Sequence, residues 1–436
     1  MQAIKVGILG LGTVGAGTAS VLQRNADEIT RRVGRAVNVT MASVRDLNRE
    51  RSCDCSQLTL TEDPFEIVNS PDVDIVVELI GGETLAKELV LKAIENGKHV
   101  VTANKAMIAL CGNEIFDAAQ AKGVTVSYEA AVAGGISIIK SVREGLAGNS
   151  IDMVAGIING TGNFILTEMR DKGRTFEDVL AEAQALGYAE ADPTFDVEGI
   201  DAAHKLTILA SIAFGIPLQF DKVYTQGISE LSLTDVAYAE ELGYRIKHLG
   251  IAKRDENGIE LRVHPTLIPE KQLIANVDGV MNAVLVKGDA VGDTLHYGAG
   301  AGAEPTGSAV VADILDAVRA IDAPAHCKVP HLGFQAQDIQ EKTIKSVEQY
   351  ESAYYLRVEA NDVAGVMSQL SAVFAEYDVS IEGITQKEPQ TGESSVSVIF
   401  ITQRTLEERI DQVITKLSAM DDVASNIVKV RVEHFN

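Results

Sequence analysis

Residues 4–15, IKVGILGLGTVG, decide how the chain begins to fold. Ile4 to Leu9 is an apolar run of strand length, the six residues from Gly10 to Gly15 form a tight glycine turn, and a polar–apolar helical pattern follows from about Ala16 to Arg32. In such a unit Gly10 makes the turn, Gly12 lets backbone approach a pyrophosphate, and Gly15 lets the helix pack on the strand. The helix N-terminus, with Thr13 and Val14 in its first turn, then faces the phosphates. A plain glycine turn is the alternative; the position between a strand and a helix favours a dinucleotide site. Working outward, strand patterns recur at Val37–Val44, Val73–Ile80, Lys98–Ala103 and Val124–Ala131 with helical stretches between them, which specifies an α/β, doubly wound parallel sheet.

The second of these strands ends at Arg45-Asp46, where an acid normally meets the adenosine ribose. Arg45 can neutralise a 2′-phosphate and Asp46 can accept from a ribose hydroxyl, so NADP(H) is the expected cofactor, with NAD(H) also used. Arg45 as a surface charge is the alternative. The next strand but one ends TANKA, which places Lys105 beyond the carboxyl edge of the sheet, where ligands bind. A solvated lysine opening a helix is the bland alternative.

Composition narrows the class. With 436 residues, 46% hydrophobic and 23% charged, the chain is long enough for two or three cored domains. A formal charge of −24 argues against nucleic acid or an anionic membrane surface as a partner. The longest uncharged run, Leu206–Phe220, is too short to cross a bilayer and contains Pro217. Cys53, Cys55, Cys111 and Cys327 are too scattered for a disulfide framework or a zinc site, and no basic-then-apolar leader follows Met1; a reducing cytoplasm is the expected location.

The middle of the chain carries the polar clusters. Asn159-Gly160-Thr161-Gly162-Asn163 follows a strand and suits either a helix cap or a ligand contact. Gly187–Lys205, GYAEADPTFDVEGIDAAHK, holds Glu190, Asp192, Asp196, Glu198, Asp201 and Lys205 on a loop that feeds a helix. Asp201 and Lys205 are four residues apart and share a helix face; a solvated ion pair is the bland reading. Residues from Val223 to about Val286 read as mostly β, which should form a mixed sheet covered by helices. A second glycine-rich loop, Gly298–Gly302, then leads a helix back to the dinucleotide domain, and Gly302 joins the cofactor candidates. The last quarter reads strand Ala353–Ala360, helix Val363–Tyr377, strands Val379–Gln386 and Ser394–Thr402, helix Leu406–Met420 and strand Ala424–Glu433, a separable ferredoxin-like βαββαβ module. The expected domains are thus 1–133, completed by a helix at about 304–332; a catalytic and dimerisation domain at 134–303; a linker at 333–352; and the module at 353–436.

In order and spacing, GLGTVG, TANKA, NGTGNFI, GYAEADPTFDVEGIDAAHK and GAGAGAEPTGSAVVAD resemble the longer bacterial homoserine dehydrogenases, and the tail resembles an ACT domain. The resemblance spans essentially the whole chain. It implies reversible NAD(P)-dependent interconversion of L-homoserine and L-aspartate 4-semialdehyde on the route to threonine and methionine. It also implies that Lys205 and Lys105 are active-site lysines with Asp201 as their acid, that Glu190 and Asp196 hold the substrate ammonium, and that Glu129 with the carbonyls of Val132 and Ala133 or Gly134 binds a monovalent cation, usually sodium. The tail should bind threonine at a dimer interface and inhibit a homodimer or homotetramer, although Ala364 stands where proline is common. Asp201 is expected to favour the charged form of Lys205. The competing readings are a dehydrogenase of another amino acid or sugar and a non-catalytic amino-acid sensor.

Overall fold

Strand β1 (Ile4–Leu9) is buried along almost its whole length, as a strand covered on both faces must be. The computed structural model describes residues 2–387, 395–424 and 426–435. Past the glycine turn come α1 (Thr13–Arg24) and α2 (Ala26–Val33), two helices where periodicity predicts one. They part at Asn25, which closes α1 with its N–H and opens α2. The domain continues through β2 (Val37–Ser43), β3 (Thr59–Thr61), α3 (Pro64–Asn69), β4 (Ile75–Glu78), α4 (Thr84–Glu95), β5 (His99–Thr102), α5 (Lys105–Lys122) and β6 (Val126–Ser127). Its strand order is β3-β2-β1-β4-β5-β6 with every pairing parallel, the doubly wound sheet expected from the alternation. The strand expected at 124–131 shrinks to β6 because a 3-10 turn at Glu129–Ala131 takes over, and β3 is too short to register as a hydropathy period.

The chain then forms α6 (Ile138–Lys140), β7 (Ile151–Ile157), α7 (Gly160–Lys172), α8 (Phe176–Ala185), α9 (Thr194–Val197), α10 (Ile200–Phe214), β8 (Tyr224–Thr225), α11 (Leu233–Glu241), β9 (Tyr244–Asp255), β10 (Gly258–Pro269), β11 (Met281–Gly288) and β12 (Gly292–Ala299). Helix α12 (Ala303–Ile321) returns to the first domain and lies along α1, ending well short of residue 332. The approach is close because two glycines permit it: a Cβ on Gly17 would sit 2.2 Å from the Ala303 carbonyl oxygen, and one on Gly307 would sit 2.9 Å from the Thr18 nitrogen.

The tail is built from β13 (Glu351–Asn361), α13 (Val366–Glu376), β14 (Ile381–Gln386), β15 (Ser395–Thr402), β16 (Thr405–Leu406), α14 (Glu407–Ser418) and β17 (Val428–Val432). Ser394 and Ser425, which fall in or beside expected strands, lie outside the described residues. This is the expected ferredoxin-like order, yet its sheet does not stand apart. β17 pairs parallel with β10, Thr266 with Arg431 and Leu267 with Val432, so one sheet runs β12-β11-β7-β9-β10-β17-β13-β15-β14 through both units. Across the seam Arg431 donates to Gln226 Oε1 at 3.0 Å and Arg262 donates to Glu433 at 2.7 Å, while within the tail Glu407 holds Arg431 by accepting from it at 2.5 and 2.8 Å. Nor is the segment before the tail a loose tether: Ile344 bridges to Ile259, and buried Lys345 pairs with Asp255 and Glu260. Pattern reading missed this join because charged residues were assigned to the surface.

Arg431 and Glu407 are both almost fully buried, so removing one strands the other in a medium that cannot solvate it. Glu407→Ala is expected to cost about 3–5 kcal/mol, seen as a lower denaturant midpoint with the dinucleotide domain otherwise intact.

Candidate active site

The site is assembled where β7 ends, α10 begins and α5 begins. Beyond β7, Asn159 caps α7: its side-chain oxygen accepts from Gly162 N at 2.7 Å. Helix α10 opens at Gly199, whose φ of 83° and lack of side chain are both required, since a Cβ there would meet Val263 at 2.9 Å and His248 and Thr225 at 3.0 Å. Every residue of α10 after Ile200 is buried, so Asp201 and Lys205 are not a solvated ion pair. From the other domain, α5 begins with Lys105, directly after its cap Asn104.

These elements bring three charges together. Lys205 Nζ donates to Asp201 Oδ2 at 2.6 Å and to the Ile158 carbonyl at 2.6 Å. Lys105 Nζ meets the other oxygen of Asp201 at 2.7 Å. Asn159 Nδ2 donates to Asp201 Oδ2 and to Asp196 Oδ1, each at 2.8 Å. Burial alone would raise the Asp201 pKa, but the Lys205 and Lys105 charges outweigh it and hold the carboxyl well below its usual range. The lysines diverge. Burial pulls Lys205 below the ordinary lysine value of 10.5 despite Asp201, whereas for Lys105 burial is outweighed by Asp201, Asp196 and Glu190 together and the lysine is raised. Asp201 favours the charged form of Lys205, as expected; the helical spacing shows the acid, but not the burial that works against it and leaves the lysine below its ordinary value.

Asp196 lies half-buried on α9 and is pushed up by burial, with the Asn159 hydrogen bond opposing. Glu190 is exposed at the rim, and its charge adds to the field on Lys105. Asp192 forms a turn by accepting from Thr194 N at 3.1 Å, and Glu198 accepts from Ser229 Oγ at 2.7 Å. His204 was not singled out by sequence reading. It is buried between Phe195 and Phe220, with ring centroids 5.4 and 4.4 Å away, and burial lowers it to about 4, so it is neutral beside the lysines. Its only signal in the sequence is its place between Asp201 and Lys205.

The glycine turn fits a dinucleotide. Gly10 has φ 97° with Leu79 O 2.9 Å from where a Cβ would lie, and a Cβ on Gly15 would fall 2.0 Å from Gly10 O. At Gly12 nothing lies within 4 Å of that position, so the backbone is open to a phosphate ahead of the exposed Thr13 and partly buried Val14. Arg45 and Asp46 are exposed just beyond β2, and Asp46 accepts from Asn48 N at 2.8 Å. Gly302, φ 128°, caps α12. Elsewhere, Glu129 is buried with its two oxygens accepting from Ile139 N and Lys140 N at 2.8 Å each, while its own N–H donates to Asp313 Oδ2 at 2.7 Å. The adjoining Val132 is buried, and Ala133 and Gly134 have φ of 53° and 44°. Among the described residues no three His, Cys, Asp or Glu side chains converge as a metal centre, so any cation here would rest on one carboxylate and main-chain carbonyls. Among the described residues no helix is long and apolar enough to cross a membrane.

A doubly wound domain with an open glycine turn, facing two lysines that share one buried acid, defines a nicotinamide-dependent oxidoreductase. Residues 138–315 match the family described as homoserine dehydrogenase, residues 10–129 its NAD-binding domain, and residues 356–425 the family described as AHAS small subunit-like ACT domain. A homoserine dehydrogenase of Pseudomonas aeruginosa is 62% identical over 100% of both chains. The crystal structure of one from Thiobacillus denitrificans superposes with a TM-score of 0.95 at 60% identity, covering 100% of this chain and 99% of that one. A hyperthermophilic archaeal homoserine dehydrogenase in complex with NADPH is 25% identical with a TM-score of 0.60, covering 73% of this chain and 98% of that one. The chain belongs to the homoserine dehydrogenase family, NAD(P)-dependent oxidoreductases that act on CH–OH groups.

Because a Cβ at Gly12 meets no protein atom, Gly12→Ala should fold normally yet obstruct the pyrophosphate. The expected result is a KM for the dinucleotide raised at least about tenfold, or about 1.4 kcal/mol, with thermal midpoint unchanged.

Proposed function

We propose that this chain interconverts L-homoserine and L-aspartate 4-semialdehyde with Lys205 Nζ as the group that exchanges a proton with the reacting oxygen. The observation that supports this most is the shared acid: with Asp201 between two lysines, burial loosens the proton on Lys205 while Lys105 keeps its charge. In the reducing direction the Lys205 ammonium protonates the aldehyde oxygen; in the oxidising direction its neutral amine takes the hydroxyl proton. Lys105, whose side chain is 35% exposed, orients the substrate by charge. Asp196 and Glu190 bind the substrate ammonium, and His204 with Phe195 walls the site with neutral, apolar surface. Bound nicotinamide dinucleotide supplies or accepts the hydride. NADP(H) is the preferred form, on the strength of exposed Arg45 and the NADPH held by the archaeal relative, and NAD(H) is also used. Gly10, Gly12, Thr13, Val14, Gly15, Lys105 and Gly302 make up the rest of its site.

The Glu129 carboxylate with the carbonyls of Val132 and Gly134 offers hard oxygen donors suited to sodium. The ACT unit binds threonine and inhibits an enzyme that works as a homodimer or homotetramer in the cytoplasm, on the route to threonine and methionine. Exposed Ala364, in the loop that opens α13, sets how strong that response is.

Lys205→Ala is expected to lower kcat in both directions by about 10²–10⁴-fold, measured by NADPH absorbance with aspartate semialdehyde or homoserine. Homoserine oxidation should rise with pH as Lys205 loses its proton, along a limb centred below the ordinary lysine value of 10.5. Asp201→Asn removes the charge that retains the proton, so the residual limb should move to lower pH; a limb that stays put or moves up would exclude Lys205 as the base. Millimolar threonine should inhibit the intact chain, and activity unaffected by it would refute the regulatory part.

A further inference from the structure

Asn159 is bonded at every polar atom of its side chain. Its oxygen accepts from Gly162 N at 2.7 Å, which settles which end of the amide is nitrogen. The nitrogen's two hydrogens then go to two different carboxylates, Asp196 and Asp201, at 2.8 Å each. The amide is planar and its N–H bonds diverge at a fixed angle, so this one group sets the spacing of two like charges that otherwise repel. The backbone beneath it is rigid, because β7 lies between β11 and β9 and Asn159 itself is buried. The preceding residue, Ile158, receives Lys205 through its carbonyl, so two consecutive residues at the end of β7 address Lys205, Asp201 and Asp196 together.

From this geometry we infer that Asn159 is a positioning residue for substrate capture, which holds Asp196 at the distance from the Asp201–lysine group that lets it receive the substrate ammonium. The inference rests on the reading above that Asp196 binds that ammonium. An ordinary helix cap would need only the oxygen of Asn159. The nitrogen, aimed at the two acids, has no part in capping. Without it Asp196 faces Asp201 with no donor between them, and it either rotates away or takes up a proton, and in both cases it stops attracting a cation.

The test separates the cap from the bridge. Asn159→Ser keeps a capping oxygen but is too short and too poor in donors to reach both acids. It should keep the thermal midpoint within a few degrees, leave the dinucleotide KM unchanged, and raise the homoserine KM at least about tenfold with a smaller effect on kcat. Asp196→Asn should raise the same KM, and the double variant should be no worse than Asp196→Asn alone, since both changes break one link. Wild-type homoserine KM in a folded Asn159→Ser, or increases that multiply in the double variant, would overturn the inference. Asn159→Thr, which also keeps a cap, is the second variant; if neither folds, the amide is needed to hold the fold together rather than to serve capture, and the inference is wrong. A wild-type KM in Asp196→Asn would instead refute the assignment of Asp196.

Discussion

The buried carboxylate of Asp201 is the constraint on which the site depends. A charge in that position is tolerated only because two lysines and an amide surround it, and each partner comes from a different part of the chain: Lys105 from the start of α5, Lys205 from one turn along α10, Asn159 from the end of β7. The dinucleotide domain and the catalytic domain must therefore be docked correctly for the acid to be satisfied at all. Several other features follow from that requirement. Helix α10 is buried on all sides against α5 and the mixed sheet, and its first turn is squeezed so tightly that only glycine fits at position 199.

The same arrangement separates the two lysines chemically. Both touch one acid, but burial holds the enclosed Lys205 below the ordinary lysine value, whereas around the partly open Lys105 the charges of Asp201, Asp196 and Glu190 outweigh burial and hold it above. Identical side chains can then divide the labour of proton exchange and charge orientation, as pairs of titratable groups in unlike surroundings commonly do.

The tail unit is tied to this centre by more than covalent continuity. Arg431 of β17 reaches Gln226, whose N–H donates to Val263 O and whose carbonyl bonds His248; two residues on, Ile228 N donates to Val197 O, next to Asp196. Contacts therefore run unbroken from the ferredoxin-like sheet to the loop of acids. An edge strand left open on β10 would invite wrong pairing, and β17 covers it.

The strand–glycine–helix order, the parallel alternation and the βαββαβ tail were all readable from the chain, because period and turn chemistry are local properties. So were Lys105, Asp196, Asp201 and Lys205 as residues of interest, the last two from their shared helix face and all four from family resemblance. Three things were not readable. The burial that weakens Lys205 arises from α5 and the sheet closing over α10. The join of β10 to β17 depends on a pairing between strands over 150 residues apart, with buried arginines that composition assigns to the surface. The pair of hydrogen bonds that Asn159 donates to two acids depends on the end of β7, α9 and α10 meeting at one point. Local sequence determines which elements form and which chemistry they carry; only packing decides which charges lose their water, and that loss decides what those charges can do.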